Sequence, residues 1–313
     1  MEPVTVVVVA PGQGSQTPGF LEPWLAEPRF AEHLDALADA SGVDLRTHGT
    51  VSDADTIRDT AVAQPLIVAT SLLSFAAVTN GGRRDRLAGV AGHSVGEVAA
   101  AAAAGILSEH DAMTLVRQRG IAMAEAASKV QTGMSAVVGG GEAELLERLA
   151  ELGLEPANFN GGGQIVVAGE LPALAALQEA PPAGARVIPL QVAGAFHTRY
   201  MAPAVDTLRA LAAGLEPADP RLTIWTNKTG ETIADGRLFL DLLVGQVASP
   251  VRWDRTMESF AAAGITGLIE LAPAGALVGL AKRGLKGLPT VAVKTPDDLP
   301  AAHALIDSDG ASA

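Results

Sequence analysis

The sequence predicts an α/β protein. Residues 1–127 and 194–313 form a core around a mostly parallel sheet, and a small α+β subdomain is inserted at 128–193. Three observations predict it. Short β-branched runs such as Thr5–Ala10 (TVVVVA) lead through glycine-rich turns into long apolar helices, the pattern of strands buried between helix layers. The elements shorten between Met134 and Leu190 and lengthen again after His197. A chain of 313 residues with 48% hydrophobic content supports a sizeable core but exceeds one minimal domain.

The elements follow in order. Thr5–Ala10 is a buried strand ending in the loop PGQGSQ. Leu21–Ser41 reads as a helix, and Thr56–Asn80 as a long apolar one with Pro65 in its first half. Leu87–Ala91 is a second strand. It enters the turn GHSVG, then a helix over Glu97–Ala104 and, after the break at Gly105, a helix over Ser108–Ala127. The insert reads as strand Met134–Val138, helix Glu142–Leu152, strand Ile165–Ala168, helix Leu171–Leu177 and strand Ala185–Leu190. Longer elements then return: helix Met201–Leu215, strand Leu222–Thr226, helices Leu238–Val247 and Trp253–Ala263, strand Gly267–Leu271 and a helix from Gly275. Beyond Pro300 the pattern is weak, and the chain contains no repeats.

Composition narrows the function. A formal net charge of -13 argues against nucleic acid, whose phosphates demand a basic face, while leaving room for a local basic pocket. The absence of cysteine removes disulfides, thiolate catalysis and cysteine-ligated metals, and fits a cytoplasmic protein. Mean hydropathy is +0.27, yet much of the apolar content is Ala and Val, and no run approaches the roughly 20 residues of a membrane span. The N-terminal apolar run is strand-length and lacks a basic flank, so no signal peptide is expected. Nothing demands a dimer, and a monomer is expected.

The chemistry centres on Gly92-His93-Ser94-Val95-Gly96. Gly-x-Ser-x-Gly between a strand and a helix is the pattern of a sharp turn that projects a serine hydroxyl above the sheet edge. The following helix N-terminus offers free N–H groups, so the Val95 N–H is placed to meet an oxyanion. A bare Gly-x-Ser-x-Gly also occurs by chance as a plain tight turn. A nucleophilic serine needs a base. His33, His48, His110 and His303 lie in surface-like contexts, and His93 points away from its neighbour Ser94. His197, in VAGAFHTRYMAPA, follows a strand and precedes a helix, where sites form in α/β sheets. No convincing acid lies between Ser94 and His197. Asp111 and Glu125 read as helix-surface charges, so a neutral acceptor such as a backbone carbonyl would have to orient the histidine. The turn GQGSQ is neither a P-loop nor a dinucleotide fingerprint, and no lysine follows it closely.

GQGSQ, GHSVGE, the RG on the next helix, NFNGGGQIVVAG, GAFHTRYM and QVASPVRW occur in one order along nearly the whole chain. In this the sequence resembles the malonyl-CoA:acyl carrier protein transacylases and the related acyltransferase domains of polyketide synthases. The resemblance implies an α/β-hydrolase-like core with a ferredoxin-like insertion. It implies Ser94 as the acyl-accepting nucleophile and His197 as general base and acid. Gln13 and Val95 would supply the oxyanion N–H groups, and Arg119 would pair with the substrate carboxylate. The main-chain carbonyl of Gln246 would orient the histidine, with Gln64 and Asn160 lining the pocket. Phe196 stands where a malonyl-type HAFH stretch carries its aromatic ring, though Gly194 replaces the first histidine of that stretch and Val95 a common leucine.

The partners implied are malonyl-CoA and an acyl carrier protein, in fatty acid or polyketide synthesis, with no metal and no bound organic cofactor. Transfer would pass through a malonyl-serine ester by ping-pong exchange. Arg119 also has a physical case, because a buried carboxylate needs a partner and a guanidinium binds one with two parallel bonds. Residues two apart on a helix face differently, so only one of Arg117 and Arg119 can point at the site. Arg199, Lys228, Lys282, Arg283 and Lys286 are candidates for docking the carrier. Two rivals share parts of this pattern: a serine hydrolase or thioesterase on the same fold, and a non-catalytic carrier-binding subunit.

Overall fold

The computed structural model describes residues 5–308. In chain order the strands are β1 (Val6–Ala10), β2 (Leu87–Gly92), β3 (Thr132–Gly139), β4 (Glu155–Gly161), β5 (Gln164–Glu170), β6 (Ala185–Leu190), β7 (Val251–Arg252), β8 (Gly267–Glu270) and β9 (Thr290–Ala292). The helices are α1 (Glu22–Leu25), α2 (Pro28–Ser41), α3 (Leu45–Thr50), α4 (Thr60–Val78), α5 (Gly96–Ala104), α6 (Glu109–Ala127) and α7 (Glu142–Leu152). They continue as α8 (Leu171–Glu179), α9 (Ala202–Ala212), α10 (Gly236–Gln246), α11 (Trp253–Ala262), α12 (Ala276–Gly284) and α13 (Leu299–Asp307).

Two sheets organise the fold. The first is wholly parallel, in the order β2-β1-β8-β9. Its central strand explains the unbroken valine run. Val6, Val8 and Ala10 pack into one core, and Val7 and Val9 into a second on the opposite face. The second sheet has the order β6-β3-β5-β4, antiparallel throughout, with the two-residue β7 added in parallel beside β4. A β-α-β-β-α-β chain in that strand order is the ferredoxin-like arrangement. One face of this sheet buries Val137, Ile165 and Val167 against Leu145, Leu149, Leu174 and Leu177 of α7 and α8. Alternate residues Met134, Ala136 and Val166 turn to the main core.

Some predicted elements differ. Leu21–Ser41 is two helices, because Pro28 holds Glu27 extended (φ -99, ψ 122) and starts α2 afresh. Leu222–Thr226 forms only isolated bridges, Val90 with Ile224 and Trp225 with Thr232. Strand β4 was hidden by the polar and glycine-rich NFNGGG, and the region beyond Pro300 closes as α13. Helix α4 is long and apolar enough to cross a membrane by length and composition, but 83% of that stretch is buried as the central core helix. Helix α6 crosses it closely at Gly120, where a Cβ would sit 2.8 Å from the Thr60 carbonyl oxygen.

The glycines divide by what surrounds them. A Cβ on Gly96 would overlap the Ala10 carbonyl, whereas one on Gly279 in α12 meets nothing. Gly96→Ala is expected to cost about 3 kcal/mol through backbone overlap, and Gly279→Ala to stabilise by roughly 0.5–1 kcal/mol through helix propensity. Urea unfolding of both variants checks this pair, and equal shifts would contradict it.

Candidate active site

The site starts where β1 and β2 end side by side, with Ala10 opposite Gly92. The chain leaves β2 through a reversal so tight that a Cβ on Gly92 would overlap the Gly96 backbone. Ser94 takes up the strain, with φ 54 in the left-handed region that a side chain disfavours. Asn227 holds the turn from outside. Its Nδ2 donates to the Gly92 carbonyl at 2.7 Å, and its Oδ1 accepts from the Ser94 N–H at 2.7 Å.

His197 comes from the loop after β6 and is also left-handed (φ 63). Its N–H donates to the Val247 carbonyl at 3.0 Å, tying the loop to the end of α10. Its Nδ1 lies 2.9 Å from the Gln246 carbonyl and its Nε2 2.7 Å from Ser94 Oγ. A carbonyl only accepts, so Nδ1 carries the proton and Nε2 is the acceptor for the serine hydroxyl. Burial, and then the Arg119 charge, push the imidazole down to about 3. The ring is therefore neutral in the resting site.

Arg119, on α6, is 2% exposed. Its Nη2 lies 3.4 Å from Ser94 Oγ. Nη1 donates to Gln64 Oε1 and Nη2 to Gln246 Oε1, each at 2.7 Å, while Nε has no partner among the described residues. Burial pushes the guanidinium down to about 10, against the pull of the Glu97 carboxylate. Arg117 turns away and donates to the Ala61 carbonyl at 3.0 Å.

A cavity of about 410 Å³ opens in front of the serine, between the elbow and the second sheet. Gln13, Gln64, Val95, Asn160, Phe196 and His197 line it with Ser94. No acceptor among the described residues takes the main-chain N–H of Gln13 or of Val95. The Gln13 side chain donates to the Arg58 carbonyl at 3.3 Å, which pins its loop to the start of α4. Asn160 Oδ1 is 3.0 Å from His93 Nε2, and His93 stands edge-on to Trp253. Of the basic docking candidates, Arg199 is paired with Glu155. Lys228, Lys282, Arg283 and Lys286 are exposed, and Arg283 reaches the cavity. Among the described residues no three His, Cys, Asp or Glu side chains cluster to hold a metal ion.

Two residues of this network escaped the sequence reading. Asn227 lies 133 positions from Ser94 with no local signal. Glu97 had one: it is a single charge in the run EVAAAAAAG, and such a residue needs a buried partner. It is 1% exposed, accepts from the Asn227 N–H at 2.6 Å and also takes the Gln246 side-chain amide. Burial pushes its carboxyl up to about 8, and those N–H groups and Arg119 offset only part of the rise.

A strained serine at a helix N-terminus, a neutral histidine on its hydroxyl and free N–H groups nearby define a serine-dependent acyl-transfer protein. The comparisons agree with that class. The acyl transferase domain family matches residues 7–300. The chain is 49% identical to a malonyl CoA-acyl carrier protein transacylase of Mycobacterium tuberculosis, over 94% of this chain and 98% of that one. The crystal structure of the M. tuberculosis transacylase superposes with a TM-score of 0.92 at 47% identity, covering 96% and 99% of the two chains. A malonyl-transacylase solved in complex with a type II polyketide synthase acyl-carrier protein gives 0.90 at 30% identity, covering 95% and 98%. The chain belongs to the acyl transferase domain family.

The His197 shift has a pH signature. Its folded value lies below the unfolded 6.5, so neutral His197 favours the fold above that pH, and the contribution is lost as pH falls toward about 3. Wild type should therefore lose more stability than His197→Gln between about pH 7 and about pH 4. Serine acylation should show no acid limb near 6.5. Parallel urea curves for the two proteins, or an acid limb near 6.5, would contradict the assignment.

Proposed function

We infer that this chain transfers the malonyl group from malonyl-CoA to the phosphopantetheine thiol of an acyl carrier protein. One observation carries the reading. The Ser94 hydroxyl lies between a neutral histidine nitrogen at 2.7 Å and a buried guanidinium at 3.4 Å. The first pair makes an acyl-serine, and the second suits an acyl group that ends in a carboxylate.

His197 Nε2 takes the Ser94 proton as Oγ attacks the thioester carbonyl carbon. The oxyanion is met by the N–H groups of Gln13 and Val95. As the tetrahedral species collapses, the C–S bond breaks and the CoA sulfur receives the proton from His197. The carrier thiol then attacks the malonyl-serine ester, giving its proton to His197, which returns it to Ser94 Oγ. The Gln246 carbonyl holds Nδ1–H throughout, in the place an acid takes in other triads. Arg119, held by Gln64 and Gln246, offers its remaining N–H groups to the malonyl carboxylate, so binding of a remote group positions the reacting carbonyl. Phe196 and Asn160 shape the pocket around the acyl group. Serine, histidine and main-chain N–H groups supply this chemistry without metal or organic cofactor.

The same reading makes residues 1–127 and 194–313 the catalytic core and 128–193 an inserted subdomain that closes the cavity. The separate apolar core between the second sheet and α7 and α8 supports that division. It also has the protein act as a cytoplasmic monomer on a carrier protein, with Arg283, which lines the cavity, and the exposed Lys228, Lys282 and Lys286 as docking candidates.

Intact-mass measurement after brief mixing with malonyl-CoA tests the reading. Wild type should gain a malonyl adduct that added carrier protein discharges, and Ser94→Ala should gain none. Arg119→Ala should lose malonyl by about 100-fold or more while accepting acetyl-CoA. An adduct cleared by water as fast as by the carrier would mark a hydrolase. Phe196→Ala is expected to raise kcat/KM for methylmalonyl-CoA about tenfold relative to malonyl-CoA, by freeing the volume of a methyl branch. An unchanged ratio would remove Phe196 from that role.

A further inference from the structure

Gln246 is a single side chain read by four groups. Its Oε1 accepts from Arg119 Nη2 at 2.7 Å. Its Nε2 donates to Glu97 Oε2, to the Ser94 carbonyl at 3.0 Å and more distantly to Asn227 Oδ1 at 3.3 Å. A side-chain amide has an acceptor end and a donor end, and nothing in its shape fixes which way round it sits. Here three groups agree: Glu97 and the Ser94 carbonyl accept on one side, and Arg119 only donates on the other. The two Glu97 oxygens face N–H donors, the Asn227 main chain and the Gln246 amide, and that arrangement favours the ionised, acceptor-only carboxylate. The NH2 of Gln246 must turn to Glu97, and its Oε1 must turn to Arg119.

We propose that Glu97 is a positioning residue for carboxylate recognition: by fixing the polarity of the Gln246 amide, it holds the Arg119 guanidinium toward Ser94. It also balances the Arg119 charge, since no other carboxylate among the described residues acts on that guanidinium. Its place in the first turn of α5, at the positive end of the helix dipole, suits a carboxylate. Glu97 touches no substrate and acts through Gln246. The substrate carboxylate then meets a guanidinium already aimed, and an acyl group without a carboxylate gains nothing from that arrangement.

A neutral isostere disturbs this matching. Glu97→Gln puts a second amide against Gln246 and the Asn227 N–H. One orientation leaves two donors facing at Asn227. The other turns Gln246 round and sets its NH2 against Arg119. The second orientation costs the guanidinium its aim, while the Asn227 side-chain clamp on Ser94 and the Gln246 carbonyl on His197 stay in place.

The proposal rests on the malonyl-transfer reading, so the experiment separates the two. Steady-state transfer from malonyl-CoA and from acetyl-CoA is measured for wild type, Arg119→Ala, Glu97→Gln and Glu97→Asp. Failure of Arg119→Ala to lose malonyl preference would overturn the reading beneath. With that control in place, Glu97→Gln should raise KM for malonyl-CoA about tenfold to a hundredfold, with acetyl transfer within about threefold of wild type. Glu97→Asp, which keeps an acceptor-only carboxylate, should retain at least about a third of the malonyl preference. Equal loss for both substrates, an unchanged preference in Glu97→Gln, or the same loss in Glu97→Asp overturns the proposal. If Glu97→Gln does not fold, Glu97→Met removes the acceptor at that position and keeps the side-chain length. It must then lose malonyl preference while keeping acetyl transfer, and equal loss of both overturns the proposal.

Discussion

The matching of hydrogen-bond donors to acceptors at Gln246 is the constraint on which the site depends. Its carbonyl sets the tautomer of His197, and its side chain joins Arg119 to the elbow at Ser94. A buried guanidinium and a buried carboxylate would each cost several kcal/mol alone. Here Glu97 and Arg119 are linked through one amide, and their oxygens and most of their N–H groups have partners. The exception is Arg119 Nε, which faces no acceptor among the described residues.

That network works only because the backbone is held in two disfavoured conformations. Ser94 and His197 both have positive φ, which costs on the order of 1–3 kcal/mol each. Neighbouring elements over-determine them. At Ser94 the glycines admit the reversal, His93 N–H bonds to the Ala10 carbonyl at 3.0 Å, and Asn227 clamps the turn. At His197 the Val247 carbonyl fixes the main chain and the Gln246 carbonyl fixes the ring. The hydroxyl and the imidazole therefore face each other with little freedom to lose on reaction.

The two sheets have different tasks. The parallel sheet delivers the elbow at the carboxyl ends of β1 and β2, where open α/β sheets form their sites. The second sheet supplies the opposite wall through Met134, Ala136, Asn160 and Val166. The close crossing of α4 and α6 at Gly120 is equally necessary, since Gln64 and Arg119 sit on those two helices and must meet.

Much of this was legible in the sequence by itself. The buried valine run, the glycine spacing around Ser94 and the alternation in β3 and β5 are local patterns, and local sterics and hydrophobic periodicity largely determine what they form. The motif order also carried Ser94, His197, Gln13, Val95, Arg119, Gln246, Gln64, Asn160 and Phe196 as a candidate set. Other features were decided only by the tertiary structure. Which of Arg117 and Arg119 faces inward depends on where α6 crosses α4. Asn227 reaches the elbow from 133 residues away, and the partner of Glu97 lies 149 residues downstream. Long-range hydrogen bonds leave no periodicity in a sequence, because donor and acceptor meet only once the chain between them has folded.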